Sequence, residues 1–515
     1  MQHRDSTPPP FWPTEGEGDY FTDPAAAVDR LTEIHQAGMD YLIEAYSRTI
    51  AEALESEAPG ALAFSGSVRA YYPELRFTVH TGSAVEHVDP SLSHGFVDRP
   101  GVYATTITRP VMYRSYLIEQ ISDLLANHGG EVEVRVSEQP IPLRMCRGFN
   151  AAAEKAATRE GASASVLAAV EKTFTPIDSA CIDDTIADGE ANFLDLPIKP
   201  LSLFSAPRID LALQRLEHYT GSHPANIQRF VLFTNYQLHT DVFLEYARSL
   251  TPGNSHGYTA LVCPGDGRYD IGAIPTPGKC REHAHSSQMP AYHLLRNDTC
   301  GITIIDIGVG PSNAKTITDC LAVTRPHCWM MVGHCAGLDG RMRIGDMILA
   351  NGYDRADGVL DNYVPLEKPI PPIAEVQLAV TNALRRVSGV SGDELKKRLR
   401  TGTVLSTSDR NWEWRSQADL YRELQKSTAI GVEMESATIA ANGYRFRVPY
   451  GALLSVSDMP LHDKPKLPKS AREFYQSSKE EHLMAAVRAC EDMAADPTNL
   501  HSRKLRRPVG EVAFR

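Results

Sequence analysis

The sequence predicts an α/β domain in the C-terminal part of the chain and an α+β domain before it. The chain has 515 residues, more than one hydrophobic core usually organises, so two domains are expected. From residue 229 onward, short and nearly continuous apolar runs end in Gly, Ser, Asp or Asn and lead into helical segments. Such runs indicate the strands of a sheet that is buried on both faces. Before residue 200, strand and helix patterns do not alternate strictly, which favours an α+β arrangement.

The N-terminal domain is predicted to span residues 1–200 and to begin with a long helix. Apolar residues recur at helical spacing over residues 24–55, which predicts an amphipathic helix. A second helical pattern covers residues 111–127. Alternating patterns predict four strands, the first two of them separated by Pro73: 67–72, 75–80, 103–108 and 131–137.

The C-terminal domain is predicted to span residues 228–495, with its active site at the carboxyl ends of its strands. A proline-punctuated stretch precedes it, so a linker is expected over residues 201–227. Residues 496–515 are expected to form a basic tail, because residues 502–507 carry four basic side chains. So short a run is typical of a solvated tail or a subunit contact. The predicted strands are 230–234, 258–262, 302–307, 329–333, 346–350, 402–406, 429–432 and 452–457.

The composition is that of an ordinary globular protein of the cytoplasm. Hydrophobic residues make up 42% and charged residues 23% of the chain, which indicates neither disorder nor membrane residence. The net charge of -12 would repel a nucleic-acid backbone. No apolar run reaches the roughly 18 to 20 residues of a membrane span, and the polar N-terminus does not look like a signal peptide. Nine scattered cysteines fit reduced thiols better than a disulfide framework.

A glycine loop and a histidine turn follow two of the predicted strands. Gly308 and Gly310 would let backbone N–H groups approach an anion or a hydroxyl closely, and Ser312 lies at the start of the next helix. The loop lacks the third glycine of a dinucleotide fingerprint and the Gly-Lys-Ser/Thr of a P-loop. It can equally be a purely structural turn. Small residues bracket His334, which leaves room either for a ligand or for close helix packing.

Carboxylates follow two further strands. Glu433 and Glu435 flank Met434 where a buried strand gives way to a helix. Acidic residues there can simply interact with the helix dipole. Alternatively, a carboxylate accepts hydrogen bonds from ribose hydroxyls while the methionine packs against the sugar. Asp458 lies at the tip of an apolar strand, where partial burial would raise its pKa into the range of a general acid. An ordinary turn aspartate is the alternative.

The order and spacing of these four segments resemble the nucleoside phosphorylase and nucleosidase superfamily over about residues 228–490. The resemblance implies a nucleoside phosphorylase-like mixed-sheet α/β domain. It also implies that Glu435 binds the ribose hydroxyls, with Met434 and Glu433 beside it, and that Asp458 protonates the purine at N7. In related phosphorylases the glycine loop holds the attacking phosphate. In a nucleosidase the same place would serve water or sugar oxygens.

Further segments resemble the AMP nucleosidases in particular, and they extend the resemblance over nearly the whole chain. The family resemblance implies hydrolysis of the N-glycosidic bond of AMP to adenine and ribose 5-phosphate. It further implies a regulatory N-terminal domain, ATP and phosphate as effectors, and a homohexamer. The matching segments are LFTNY (232–236), SDRNWE (408–413), RVPYG (447–451), LH (461–462), KLP (466–468), HGFV (94–97), YATTITRP (103–110) and YRSYL (113–117).

Candidate contacts to the rest of the substrate and to effectors are arginines and a tryptophan. Arg410 can engage a 5'-phosphate with two parallel hydrogen bonds, and Trp412 can stack on adenine. Both can also be structural or surface features. Arg109 and Arg114 lie at a strand-to-helix junction whose composition suits an anionic effector. The alternative there is a helix capped by Thr108, with the arginines facing solvent.

No metal and no organic cofactor are expected. Cys280, His283 and His285 are close in sequence, but no second pair of potential ligands matches them. Two other functions remain open at this point. A phosphorylase would use phosphate in place of water, and a non-catalytic AMP sensor would not need Asp458 or Glu435.

Overall fold

The computed structural model describes residues 11–13, 18–55, 68–80, 88–89, 92–464, 468–497, 500 and 505–515. The chain divides into two compact units. Unit 1 comprises Met1–Leu211 and Pro508–Arg515, and unit 2 comprises Ala212–Arg507. The expected linker at 201–227 is instead largely helical, because helix Ala206–Thr220 occupies most of it. Within the described residues, no helix combines the length and apolar character that a membrane span requires.

Unit 1 contains a five-stranded sheet in the order β1-β4-β2-β3-β5. The β3–β5 pair is parallel, and the other pairs are antiparallel. Its strands are β1 (Asp19–Phe21), β2 (Tyr71–Val79), β3 (Gly101–Thr106), β4 (Val132–Pro140) and β5 (Ile198–Pro200). Its helices are α1 (Pro24–Glu55), α2 (Arg114–His128), α3 (Phe149–Thr158), α4 (Ala164–Glu171), α5 (Thr185–Asp188) and the first part of α6 (Ala206–Thr220).

The long first helix is confirmed with the bounds that its apolar spacing predicts. Leu31, Leu42 and Tyr46 are fully buried on one face of α1, as expected of an amphipathic helix. The two strands expected on either side of Pro73 are instead one strand, β2, and residue 67 lies outside the described part. The register against β4 shifts between Tyr71 and Pro73. A proline is tolerated at such an irregularity because it has no N–H to contribute to the ladder.

The last residues of the chain pack within unit 1 and do not form a solvated tail. The Ala513 carbonyl accepts a hydrogen bond from Gly95 N at 2.7 Å, and Phe514 N donates to the Leu201 carbonyl at 2.9 Å. Ala513 and Phe514 are both buried. Part of the basic run at 502–507 lies outside the described residues.

Unit 2 contains a ten-stranded mixed sheet in the order β14-β13-β12-β15-β11-β6-β10-β9-β7-β8, with an additional β14–β11 pairing. Its strands are β6 (Phe230–Thr234), β7 (Tyr258–Cys263), β8 (Gly267–Asp270), β9 (Ala291–Arg296), β10 (Ile302–Asp306), β11 (Cys328–Gly337), β12 (Met347–Ala356), β13 (Leu399–Thr407), β14 (Ala429–Glu433) and β15 (Tyr450–Asp458). Its helices, after α6, are α7 (Gln237–Ser249), α8 (Pro277–Cys280), α9 (Pro311–Leu321), α10 (Ala374–Ser388), α11 (Gly392–Arg398), α12 (Gln417–Leu424), α13 (Ser436–Phe446) and α14 (Pro468–Ala495).

The mixed α/β fold expected for the C-terminal part is confirmed, and each apolar run predicted there overlaps a strand. Every residue of the ten-residue strand β11 is buried, as required of a strand covered on both faces. Strands β8 and β9, which the apolar runs do not predict, add antiparallel pairs to the sheet. The β14–β11 pairing closes strands β11 to β15 into a ring. The ends of several of these strands therefore surround one space.

Candidate active site

A cavity of about 220 Å³ lies in unit 2 at the ends of its sheet strands. Its lining comes from the residues that follow β6, β10 and β13, from the second half of β11, and from the ends of β14 and β15. These are the strand ends at which a ligand site is expected in an α/β sheet. The cavity brings together Met434, Glu435 and Asp458 with Arg410 and Trp412.

The glycine loop after β10 has the backbone conformation that its sequence predicts. Gly308 and Gly310 both have positive φ, of 66° and 116°, which residues with a side chain rarely adopt. Gly310 is the residue before helix α9. Gly308 N donates to Asp306 Oδ1 at 3.1 Å, and burial raises the pKa of Asp306. Ser312 is exposed on the first turn of α9 and does not line the cavity.

Glu435 is the carboxylate that joins this loop to the cavity. Its Oε1 accepts a hydrogen bond from Gly310 N at 2.5 Å, and its Oε2 accepts one from Asn235 Nδ2 at 3.4 Å. The side chain is only 2% exposed. Burial, followed by the charge of Glu433, raises the pKa of Glu435 to about 8, although the hydrogen bonds from Gly310 and Asn235 act in the opposite direction.

Glu433 also lines the cavity, as expected of a residue beside the substrate, but its carboxylate oxygens have partners within the chain. Ser406 Oγ donates to its Oε1, while its Oε2 accepts from Glu435 N at 2.7 Å and Ser436 N at 2.8 Å. Both oxygens are therefore engaged within the chain, and Glu433 satisfies backbone donors at the start of α13. These contacts agree with the alternative interpretation of Glu433, in which an acidic residue interacts with the start of a helix. Burial raises the pKa of Glu433, and these hydrogen bonds oppose that effect.

Asp458 ends strand β15 at an irregularity of the sheet. It pairs with Ala336 of β11 where the register shifts between Cys335 and Ala336. Such a bulge changes the direction of the side chains that follow it. Ser457 Oγ lies 2.5 Å from Asp458 Oδ1, and both residues line the cavity. The half-buried carboxyl group of Asp458 is thus placed at the same cavity as Glu435.

Arg410 and Trp412 lie in the loop after β13. Arg410 is exposed, Trp412 is half-buried at the start of a short 3-10 turn, and both line the cavity together with Met434. The structure therefore places these predicted contacts at one site without assigning their roles.

Asn235 and Tyr236, which also line this cavity, had no predicted contact with the substrate. Asn235 and Tyr236 follow the end of β6, and Asn235 Oδ1 is buried without a hydrogen-bond partner among the described residues. The ring of Tyr236 lies 4.2 Å from the ring of His334, measured between centroids. A polar residue directly after a continuous apolar strand was the signal available for Asn235.

The cysteine and histidines considered for zinc do not converge in the structure. Cys280 is buried, with its Sγ 3.8 Å from the Pro275 carbonyl, whereas His283 and His285 are exposed. Within the described part of the chain, potential metal ligands instead come together in two other groups.

Comparison with known proteins assigns the chain to a family. A profile described as the N-terminus of bacterial AMP nucleoside phosphorylase matches residues 26–195, and the phosphorylase superfamily profile matches residues 279–491. The chain is 42% identical over 495 residues to AMP nucleosidase of Escherichia coli strain K12, a match that covers 96% of this chain and 98% of the relative. The chain belongs to the AMP nucleosidase family.

Other relatives cover a smaller share of this AMP nucleosidase family member. Guanosine phosphorylase of Halorubrum lacusprofundi is 24% identical over 223 residues, which cover 41% of this chain and 88% of the relative. A solved structure of AMP nucleosidase from Bacteroides thetaiotaomicron is 25% identical, with a TM-score of 0.41, and covers 56% of this chain and 98% of that chain.

The arginines predicted to bind an effector are engaged within unit 1. Arg109 Nε lies 2.9 Å from Asp210 Oδ1, and the guanidinium is largely buried. Arg114 forms an exposed ion pair with Asp29 at 2.5 Å. Helix α2 begins at Arg114, and Tyr113 occupies its cap position, so Thr108 does not cap it. The predicted cluster is therefore divided between a buried pair and a surface pair.

Proposed function

We propose that this chain hydrolyses the N-glycosidic bond of AMP and releases adenine and ribose 5-phosphate. The observation that carries the proposal is the convergence of Glu435, Met434 and Asp458 on one cavity at the strand ends. The near full-length similarity to a protein named AMP nucleosidase supports the same assignment.

Asp458 acts in this proposal as the general acid for the leaving base. Its half-buried carboxyl group at the end of β15 lines the cavity, where it can reach the leaving base. Protonation at purine N7 neutralises the base as the bond to C1' breaks and positive charge develops on the sugar. Ser457, 2.5 Å away, can hold the carboxyl group in a fixed orientation.

Glu435 binds the ribose hydroxyls and favours the cationic sugar through its negative charge. In the free site the raised pKa of about 8 keeps much of this carboxyl group protonated near neutral pH. Hydrogen bonds from ribose hydroxyls favour the ionised form. Binding of AMP is therefore coupled to loss of the proton from Glu435. Met434 packs against the sugar beside it.

The remaining cavity residues complete the contacts to AMP. Arg410 holds the 5'-phosphate, and Trp412 stacks on adenine. The glycine loop after β10 borders the space for the attacking water or the sugar oxygens through Val309, which lines the cavity. The Gly308 and Gly310 amides hold Asp306 and Glu435 in place, and the exposed Ser312 makes no contact in this proposal. No metal or organic cofactor takes part in this reaction.

We further propose that the enzyme works in the cytoplasm as a homo-oligomer, as a hexamer like its family. ATP and phosphate act as effectors through the N-terminal unit, and the coupling would be worth about 1 to 3 kcal/mol in AMP affinity.

The deciding experiment is incubation of the protein with AMP in phosphate-free buffer, followed by chromatography of the products. Adenine and ribose 5-phosphate are expected. A phosphorylase, the alternative that shares the fold, would require added phosphate and would yield a 1-phosphorylated sugar. A non-catalytic AMP sensor would bind AMP and leave it intact.

A further inference from the structure

Three buried histidines lie together in unit 2 beside the catalytic cavity. His239 is on α7, His334 on β11 and His482 on α14. Each offers one ring nitrogen, and these atoms all lie within 4.8 Å of one another. His239 and His482 are completely buried, and His334 is 7% exposed. Neither the proposed proton transfer nor the proposed AMP contacts use them.

The arrangement of the rings suits a common ligand between them. Their centroids are 5.2 Å apart for His239 and His334, 5.1 Å for His239 and His482, and 6.0 Å for His334 and His482. Three imidazoles around one Zn²⁺, with Zn–N bonds of about 2.0 to 2.1 Å, place their ring centres roughly 5 Å apart. Two nitrogens bound to one tetrahedral Zn²⁺ lie about 3.3 Å apart, so their separation, at most 4.8 Å here, would contract by up to about 1.5 Å on binding.

The hydrogen bonds of His482 leave one of its ring nitrogens available as a ligand. Its Nε2 lies 2.8 Å from the Leu453 carbonyl oxygen. A carbonyl can only accept, so Nε2 carries the hydrogen. Burial lowers the pKa of His482 to about 4, so the ring is neutral and Nδ1 has a lone pair. That Nδ1 is buried and has no hydrogen-bond partner within the described part of the chain.

His239 has a partner on the opposite ring nitrogen, a hydroxyl that can donate or accept, so its Nε2 is a ligand in the tautomer in which Nδ1 carries the hydrogen. Its Nδ1 lies 2.7 Å from Thr234 Oγ1, whereas its buried Nε2 has no hydrogen-bond partner among the described residues. Burial, followed by the charge of His482, lowers the pKa of His239 well below its ordinary value, although the nearby backbone carbonyl of Val332 acts in the opposite direction. Metal-binding histidines characteristically use one nitrogen for the metal while the other is oriented by a carbonyl or a similar outer partner. Thr234 and Leu453 supply those outer partners.

We propose that His239, His334 and His482 form a binding site for one divalent transition-metal cation. Zn²⁺ is the ion that three neutral imidazoles suit best, and a water molecule can complete a fourth position. The ion would hold α7, β11 and α14 together and fix the ring of His334 where it lines the cavity. The alternative occupant is a buried water molecule that bridges the nitrogens.

The test uses the full-length protein without a histidine tag. The protein is treated with a chelator, mixed with excess Zn²⁺, passed through a desalting column, and analysed by mass spectrometry for bound metal. Retention of about one zinc per chain is expected. In parallel, Co²⁺ is added to the chelator-treated protein, and the intense visible absorption of a tetrahedral site is expected. The proposal is overturned if the protein retains no zinc and the Co²⁺ spectrum is that of the free ion.

Variants identify the ligands. His482→Gln and His239→Gln should weaken zinc binding by at least the roughly 10- to 100-fold that loss of even an outer partner costs. His293→Gln is the matched control, because His293 on β9 of the same unit is also fully buried but lies outside the cluster, with its Nδ1 2.9 Å from Thr303 Oγ1. His283→Gln with His285→Gln tests the exposed histidines. Zinc retained by folded His482→Gln as fully as by the unmodified protein contradicts the site. If that variant does not fold, the Co²⁺ spectrum of the unmodified protein decides.

Discussion

Gly310 N donates a 2.5 Å hydrogen bond to Glu435 Oε1, across 125 positions of the sequence. The bond joins the glycine loop after β10 to the start of α13, and it fixes a buried carboxylate that lines the cavity. An oxygen that already accepts from an amide has capacity for one more donor. Glu435 can therefore bind a ribose hydroxyl while it stays fixed to the loop.

The first prediction concerns the pH dependence of AMP binding. The pKa of Glu435 is about 8 in the free site, and donors from ribose favour the ionised form. AMP affinity should therefore rise as the pH increases toward 8, by up to about tenfold per pH unit, and level off above it. Calorimetry with the Asp458→Asn variant, in which turnover is slow, measures the affinity.

The control for this dependence is Glu435→Gln combined with Asp458→Asn. The amide cannot titrate, so the slope above pH 7, where the phosphate of AMP is already ionised, should disappear. An affinity that is independent of pH in the protein that retains Glu435, or that falls as the pH rises, would contradict the proposed coupling.

The second prediction is that Asp458→Asn removes the general acid but keeps the shape of the site. Turnover of AMP should fall by roughly 10² to 10⁴, whereas the dissociation constant for AMP should change little. Single-turnover rates and binding by calorimetry separate the two effects. Ser457→Ala is a useful comparison, because it removes the hydroxyl beside Asp458 and leaves the acid present. Near-normal turnover in Asp458→Asn would show that another group protonates the base.

The third prediction is that Arg410 gives the preference for AMP over adenosine. A charge-assisted contact of about 2 to 3 kcal/mol corresponds to roughly 30- to 150-fold in kcat/KM. Arg410→Ala should reduce the ratio of the two efficiencies by that factor, mainly through the loss of AMP efficiency. Arg422→Ala is the matched control, since Arg422 is exposed in the same region of the chain and does not line the cavity. If Arg410→Ala leaves the ratio of kcat/KM for AMP to kcat/KM for adenosine unchanged, another residue binds the 5'-phosphate.

Eight of the ten strands described in unit 2 could be predicted because each contains an apolar run bounded by small or polar residues. The same patterns do not show which polar side chain points into the cavity. Only the family resemblance distinguishes Glu435 from Glu433 at the level of the sequence, and only the fold shows that Glu433 accepts the backbone N–H groups of Glu435 and Ser436. The sequence also did not predict the edge strand β8, because it is short and consists largely of polar residues, GRYD.

Contacts between distant segments were the features that the sequence could not predict. His239, His334 and His482 lie in three separate parts of the chain, and no spacing rule connects them. Cys280, His283 and His285, which are close in sequence, do not converge. Arg109 was predicted to bind an anionic effector because of its neighbours at the strand-to-helix junction. In the structure it donates to Asp210, which lies about 100 positions later on α6.

The last prediction separates structural from regulatory roles for Arg109 and Arg114. Asp210 is 1% exposed and accepts hydrogen bonds from Tyr72 Oη at 2.7 Å, Thr108 Oγ1 at 2.9 Å and Arg109 Nε at 2.9 Å. Removing one partner of a buried ion pair leaves an uncompensated charge, which costs about 3 to 5 kcal/mol. Arg109→Ala should therefore lower the free energy of unfolding of unit 1 by that order.

Arg114→Ala should change this stability by less than about 1 kcal/mol, because its pair with Asp29 is exposed. Thermal unfolding of the full chain measures both effects. The regulatory hypothesis requires a second readout, in which ATP is titrated at sub-saturating AMP with each folded variant. If ATP binds at this junction, Arg114→Ala should weaken the response without loss of stability. A normal ATP response in both variants would place the effector elsewhere and leave Arg109 with a structural role alone.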